Sequence, residues 1–278
     1  MLSNRLKKVI ITGGSGFIGS HLIPKLLQSK YEVIVFGRDP DTPRILPWMN
    51  SVKFFQFNLA DNVIPDISMH DTGLIHLAWP GLPNYEKEFH LKENLPNSIN
   101  FIQQCLNAGL KKVLVSGTCF EYGMKEGKIL STDDPNPINP YAKAKDKLRQ
   151  NLLSLKDHYE FSLQWARLFY MYGSGQNPNS IIAQLDKAAA NKEKIFNMSG
   201  GAQLRDYLPV SEVADQLLNL YIHYPEGTYN ICSGKPISIK ELVKNRIHEK
   251  KFNIDLNLGF YEYSELEPMS FWGERDIK

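Results

Sequence analysis

Through the first 170 residues, short runs of β-branched and aromatic residues alternate with longer stretches whose apolar positions recur at helical spacing. Residues 9–11, 31–36, 52–57, 74–78, 113–115 and 161–166 read as strands, and residues 17–27, 95–106 and 141–155 as helices. In the first of these helices Ile18, Leu22, Leu26 and Leu27 share one face. The strands are almost continuously apolar, a pattern that is stable only when both faces of a sheet are covered. This predicts an α/β fold built on a doubly wound parallel sheet. The second half is less regular: Pro135, Pro137, Pro140 and the Gly200-Gly201 pair read as long loops, and residues 227–231 as a returning strand. The expected division is a large domain over residues 1–170, rejoined by about 207–231, and a small, partly intertwined lobe over 171–206 and 232–278.

Between the first strand and the first helix lies Thr12-Gly13-Gly14-Ser15-Gly16-Phe17-Ile18-Gly19. Glycines at 13, 16 and 19 allow a tight turn and a close approach of backbone N–H groups to a pyrophosphate, which the helix N-terminus also favours. The large domain is therefore expected to bind a dinucleotide. The second strand ends in Phe36-Gly37-Arg38-Asp39. Gly37 leaves room and Arg38 offers a guanidinium fork to a 2′-phosphate, which favours NADP. NAD is the alternative, with Arg38 stacked on the adenine and Asp39 on the ribose hydroxyl.

Composition narrows the field. The 278 residues are 42% hydrophobic and 22% charged, as in an ordinary globular protein, and the net charge of +2 lacks the cation excess that non-specific nucleic-acid binding needs. Cys105, Cys119 and Cys232 are too few and too far apart for a disulfide framework or a zinc site, and no metal is expected. No apolar run is long enough to span a membrane, and Arg5, Lys7 and Lys8 lead directly into a strand without a signal-peptide core. The expectation is a cytoplasmic protein with a small-molecule substrate.

Tyr141 and Lys145 stand one helical turn apart, just after Pro140. An ammonium there favours the phenolate and lowers a phenol pKa that starts near ~10. A Tyr-x-x-x-Lys pattern alone is expected about once by chance in a chain with this many tyrosines and lysines. Its context is more specific. Thr118 sits where a strand ends, the position at which doubly wound folds place ligands, and could bond the oxygen that Tyr141 protonates.

With these motifs the chain resembles the extended short-chain dehydrogenases/reductases, the NAD(P)-dependent sugar epimerase/dehydratase family. The matching segments run in family order: the glycine motif, His76-Leu77-Ala78, the Asn-rich start at Asn94, the segment ending at Tyr122-Gly123, Tyr141 with Lys145, Arg167-Leu168-Phe169, Gly200 to Tyr207 and Tyr229-Asn230-Ile231. The resemblance implies a Rossmann-like sheet with a substrate lobe. It implies Tyr141 as acid/base, Lys145 as its partner and ribose anchor, and Thr118 as the hydroxyl on the substrate oxygen. Cofactor contacts are implied for Gly13, Ser15, Gly16, Phe17, Ile18 and Gly19, for Gly37 and Arg38, and for Asn58 and Leu59 beside the adenine. Leu77, Ala78, Trp79, Asn94, Tyr141 and Lys145 complete that set. Trp79, Tyr85, Thr118, Cys119 and Phe120 are implied on the substrate side. Trp79 and Tyr85 either wall the hexose or pack the lobes together. Arg205 is implied against the substrate diphosphate, the alternative being a surface ion pair with Asp206. His76 reads as a packed strand-end residue.

Family dehydratases carry an acidic pair where this chain has Cys119 and Phe120, so elimination of water is not expected. Cys119 reads as packing. Ketone reduction at C4 and C4 epimerisation remain, with a non-catalytic NADP sensor as a third reading. The motifs are most similar to reductases of nucleotide-linked 4-keto-6-deoxyhexoses, such as dTDP-6-deoxy-L-talose 4-dehydrogenases and dTDP-fucose-forming enzymes, which supply bacterial surface polysaccharides. The resemblance also implies a homodimer through a four-helix bundle, with Ile99, Ile102, Leu106, Leu148, Leu152 and Leu155 at the interface; the alternative is that these stripes face the sheet. Family members usually continue beyond the segment around Arg275-Asp276, so a trimmed second lobe and a more open pocket are expected.

Overall fold

The structure, a computed structural model, describes residues 8–38, 46–61, 63–265 and 267–278; Asp39, Arg5 and Lys7 of the sequence reading lie outside them. In chain order the first elements are β1 (Lys8–Thr12), α1 (Gly19–Gln28), β2 (Glu32–Gly37), β3 (Lys53–Gln56), β4 (Thr72–His76), α2 (Leu95–Asn107) and β5 (Lys112–Thr118). Then follow β6 (Gly127–Ile129), α3 (Pro140–Leu155), β7 (Ser162–Leu168), β8 (Tyr170–Tyr172), α4 (Ile181–Ala190), β9 (Ile195–Met198) and β10 (Leu204–Pro209). The last are α5 (Val210–His223), β11 (Gly227–Ile231), β12 (Pro236–Ser238), α6 (Ile239–Lys250), β13 (Asp255–Leu258) and β14 (Ser270–Gly273).

Seven of these strands form a parallel sheet in the order β3-β2-β1-β4-β5-β7-β11. The strand order reverses between β1 and β4, which pair with Thr12 opposite His76, and the crevice at such a reversal is where this architecture takes ligands. Alternate residues of each strand enter opposite layers. Val9 and Ile11 pack with Leu22, Leu26 and Leu217 of α1 and α5, whereas Ile10, Leu74 and Val113 pack with Phe101 and Leu148 of α2 and α3.

This layering corrects the expected dimer contact. Ile102, Leu106, Leu148 and Leu152 are all buried in the chain's own core, against the sheet, with Ile99 and Leu155 packed beside them. The apolar stripes of α2 and α3 are already covered.

The second half keeps the expected loops around Pro135, Pro137 and the Gly200-Gly201 pair and the returning strand at 227–231, with more regular structure between them than the sequence predicts. It holds three helices and a mixed sheet in the order β12-β10-β14-β6, with β8 joined to β10. A further parallel pair, β9 with β13, packs under α4 and α6 through Leu185, Phe196, Met198 and Val243. The two main sheets are interwoven. β6 lies between β5 and α3 in sequence, and only Phe169 separates β7 of the large sheet from β8 of the small one. The chain then returns through α5 to β11 and leaves again for β12.

Candidate active site

Two glycines shape the turn after β1. Gly13 has φ +72°, and a Cβ there would meet the Ala78 amide nitrogen at 2.8 Å; a Cβ on Gly19 would meet the Gly13 carbonyl oxygen at 2.3 Å. Gly16 N–H donates to that same carbonyl at 3.0 Å, which closes the turn. The Thr12 hydroxyl accepts from the Ala78 N–H at 3.3 Å and lies 2.8 Å from His76 Nδ1, tying the end of β1 to that of β4. Burial first, and the Lys145 charge second, hold His76 down to about 3, so this histidine is neutral and packed.

The turn opens a cleft of about 700 Å³ across the C-terminal ends of β1, β2, β4 and β5, with residues of the small sheet on its far side. Gly13, Ser15, Gly16, Phe17, Ile18, Gly19, Gly37, Arg38, Asn58 and Leu59 line one arm; Leu77, Ala78, Trp79, Tyr85, Thr118, Cys119, Phe120 and Tyr141 line the other. These residues fit a nicotinamide dinucleotide. The glycine cradle suits a pyrophosphate, and Phe36, Phe57 and Leu59 suit an adenine face. Gly37 backs onto the Phe54 ring, so its lack of a side chain also serves packing beneath the cleft.

Thr118 ends β5 and caps the 3-10 turn Cys119–Tyr122, its hydroxyl accepting the Phe120 N–H at 3.3 Å. α3 is started by Asn139, whose side chain accepts the Ala142 N–H at 2.8 Å, and Pro140 supplies the fixed φ of a first helical turn. Tyr141 therefore enters the cleft in that first turn, its backbone N–H donating to the Tyr85 carbonyl at 3.1 Å. The phenol is pushed up, chiefly by burial and next by Tyr85, against a hydrogen bond with Thr118 that pulls it down.

The expected depression of this phenol by Lys145 is not what the structure has. The Lys145 ammonium donates to the Ser116 carbonyl at 2.7 Å and rests 4.0 Å from the centre of a Trp79 ring. Burial of Lys145 is nearly complete and pushes its own pKa down to about 7, against an upward pull from Glu121. Desolvation is the largest cause in each case and disfavours the charged form of both residues.

Trp79 and Tyr85 do line the cleft, and both also pack on the Tyr141 ring, at 6.1 and 5.4 Å between centroids. Phe120, Tyr170 and Tyr207 continue this aromatic wall through ring contacts of 5.3 to 6.1 Å. Cys119 lies on the same wall, its thiol pushed well up by burial and then by Glu121, which makes it packing rather than a nucleophile.

Three residues of the sequence reading do not line the cleft: Lys145, Asn94 and Arg205. The Asn94 amide donates to the Pro80 carbonyl at 2.9 Å. Arg205 is 2% exposed and pairs with Glu267 at 2.9 Å. Asp206 is not its partner: that carboxylate accepts the N–H groups of Ser233 and Gly234. Asn58 also uses its carbonyl groups internally, Oδ1 taking the Ala60 N–H at 3.2 Å.

Glu121, which sequence reasoning passed over, is fully buried behind Thr118 and accepts its backbone N–H at 2.9 Å. The signal was present: Thr118-Cys119-Phe120-Glu121 has the spacing of a capping box.

The model of the NAD dependent epimerase/dehydratase family matches residues 9–232. The chain belongs to that family. It is 29% identical over 271 residues to dTDP-6-deoxy-L-talose 4-dehydrogenase (NAD(+)) of Aggregatibacter actinomycetemcomitans, an alignment covering 96% of this chain and 99% of that one. It is 28% identical over 239 residues to GDP-6-deoxy-D-talose 4-dehydrogenase of the same organism, covering 84% and 77%. Among solved structures, MoeE5 in complex with UDP-glucuronic acid and NAD is 27% identical, with a TM-score of 0.79 over 97% of this chain and 90% of that one. Like other members of its family, this chain has a Rossmann-like parallel sheet, and no helix among the described residues is long and apolar enough to cross a membrane.

Proposed function

We propose that this family member reduces the C4 keto group of a nucleotide-activated, dTDP-linked 4-keto-6-deoxyhexose to a 6-deoxyhexose such as 6-deoxytalose or fucose, using NADPH. The observation that carries the reading is that Thr118, at the end of β5, and Tyr141, in the first turn of α3, both line the cleft that the glycine turn opens. The names of the two talose dehydrogenases support C4 chemistry on a 6-deoxyhexose, and the relative aligned over nearly its full length supports the dTDP carrier.

A bound nicotinamide dinucleotide would supply the hydride that goes to C4. The chain's residues account for the rest. Burial keeps the Tyr141 phenol protonated at neutral pH, as the acid of a reduction must be. It gives that proton to the carbonyl oxygen as negative charge builds there, and the Thr118 hydroxyl orients the same oxygen. An alkoxide is a stronger base than even a buried phenolate, so the transfer runs downhill. Lys145, one turn along α3, favours the phenolate left behind. The large sheet would hold the dinucleotide and the small sheet the sugar. Arg38, on the cleft at the end of β2, supports the 2′-phosphate of NADPH. The three cysteines, all free and buried, are in keeping with a cytoplasmic enzyme.

The reading is tested by incubating pure protein with NADPH and dTDP-4-keto-6-deoxyglucose. Loss of the reduced-nicotinamide absorbance with formation of a 6-deoxyhexose is expected. Interconversion of UDP-glucose and UDP-galactose without net redox would make the protein an epimerase instead, and tight NADPH binding without turnover of any nucleotide sugar would make it a sensor. A homodimer belongs to the same reading. With the apolar stripes covered, it would pair the polar outer faces of α2 and α3, around Asn100, Lys143 and Lys147; a sedimentation mass of 31.8 kDa at micromolar protein would reject it.

A further inference from the structure

Behind the aromatic wall lies a histidine outside the constellation described so far. His90 opens a single π-helical turn, His90–Asn94, that leads into α2, and none of its surface is exposed. Its Nδ1 receives the Trp79 indole N–H at 3.0 Å, and the Asn94 amide lies 3.2 Å from the same nitrogen. Its Nε2 is 3.0 Å from the Asn84 carbonyl oxygen.

These partners fix the state of the ring. An indole nitrogen can only donate and a carbonyl oxygen can only accept, so Nδ1 must be a bare acceptor and Nε2 must carry the hydrogen. Protonation at Nδ1 would remove the acceptor and release Trp79. Burial, followed by the Lys145 charge, disfavours that protonation against the upward pull of the Asn84 carbonyl.

The indole that His90 holds is the one beneath the ammonium. The two rings lie 18° from parallel with centroids 6.2 Å apart, and Lys145 Nζ sits 4.0 Å from a Trp79 ring centre. Tyr141 touches both partners, at 6.1 Å from Trp79 and 5.3 Å from His90 between centroids. A side chain present only to fill space would need no acceptor at Nδ1.

We infer that His90 is a positioning residue: its Nδ1 lone pair fixes the Trp79 indole plane, and that plane holds the Lys145 ammonium beside Tyr141. The inference rests on the roles given above to Tyr141 and Lys145. It adds a neutral, tautomer-locked imidazole that does not line the cleft.

Three variants and one readout independent of turnover test it. His90→Leu removes the acceptor, His90→Asn keeps a carbonyl oxygen near the Nδ1 position, and Trp79→Phe removes the donor while keeping a ring. In a proton–nitrogen correlation spectrum the Trp79 indole N–H, assigned by its loss in Trp79→Phe, should move upfield in His90→Leu and stay in place in His90→Asn. In the reductase assay His90→Leu should lower kcat by about tenfold with KM values within about twofold, and His90→Asn should restore most of it. In the Trp79→Phe background, His90→Leu should cost less than about a further twofold, because the two residues act as one unit.

An unmoved indole resonance, an Asn variant as slow as the Leu variant, or losses that multiply in the double variant would each overturn the inference. Should His90→Leu fail to fold, Trp79→Phe must show the same roughly tenfold loss of kcat, and full activity there overturns it equally. If the wild-type protein reduces no nucleotide sugar, the functional reading fails, while the indole resonance still decides whether His90 holds Trp79.

Discussion

The Glu121 carboxylate meets the Arg167 guanidinium at 2.7 Å where neither side chain is more than 2% exposed. The same carboxylate accepts the Trp165 indole N–H at 3.1 Å and the Thr118 backbone N–H at 2.9 Å. The strand end that presents the Thr118 hydroxyl is thus fastened to a buried ion pair. Glu121→Gln leaves the guanidinium without its counter-charge in a desolvated place. Stability should fall by about 3–5 kcal/mol in urea denaturation. An unchanged midpoint would mean that the Ser131 carbonyl, 3.3 Å from the guanidinium, and the Tyr122 ring suffice for Arg167.

Tyr141→Phe keeps the ring that packs on Tyr85 and Trp79 and removes only the proton donor. The expected outcome is a fall in kcat of about 10² or more with the dinucleotide dissociation constant unchanged. Near-full activity would remove Tyr141 from the chemistry.

Lys145 gives a pH prediction whose sign follows from its depressed pKa. An unfolded lysine titrates near 10.5 and this one near about 7, so between those values the unfolded chain binds the extra proton. Stability arising from this residue therefore rises with pH across that window, and below it the penalty of the buried charge is felt in full. Lys145→Met should be more stable than the wild type near neutral pH, with the advantage shrinking towards pH ~10. Chemical denaturation at several pH values checks this, and a pH-independent difference would contradict it.

Arg38 decides the cofactor prediction. If its guanidinium meets a 2′-phosphate, Arg38→Ala should raise KM for NADPH by about tenfold or more and leave KM for NADH within about twofold. A wild-type enzyme that prefers NADH defeats that role for Arg38.

What could be read from the chain was what local pattern controls. The glycine turn and the strands of the large sheet depend on spacing within a few residues, and they lie where spacing put them. β8 and β12, at three residues each, are too short to carry a period, and they exist because each pairs with a different stretch of β10. α5 had a legible face in Val213, Leu217 and Leu220, masked by the prolines and glycines around it. The pairing of Arg205 was hidden for another reason. Its carboxylate partner is 62 positions away in sequence, and no local pattern announces such a pair. Asn94 likewise turns to the Pro80 carbonyl because the loop after β4 folds back over the start of α2.

The passages between the two sheets, at β6, at Phe169, around α5 and between β11 and β12, lace the lobes together several times over. A wide hinge would have to bend every passage at once, so ligand entry falls to side chains and surface segments. Nor can one backbone nick set a lobe free. Protein cut once in any of these passages should migrate as a single particle until a denaturant separates the fragments.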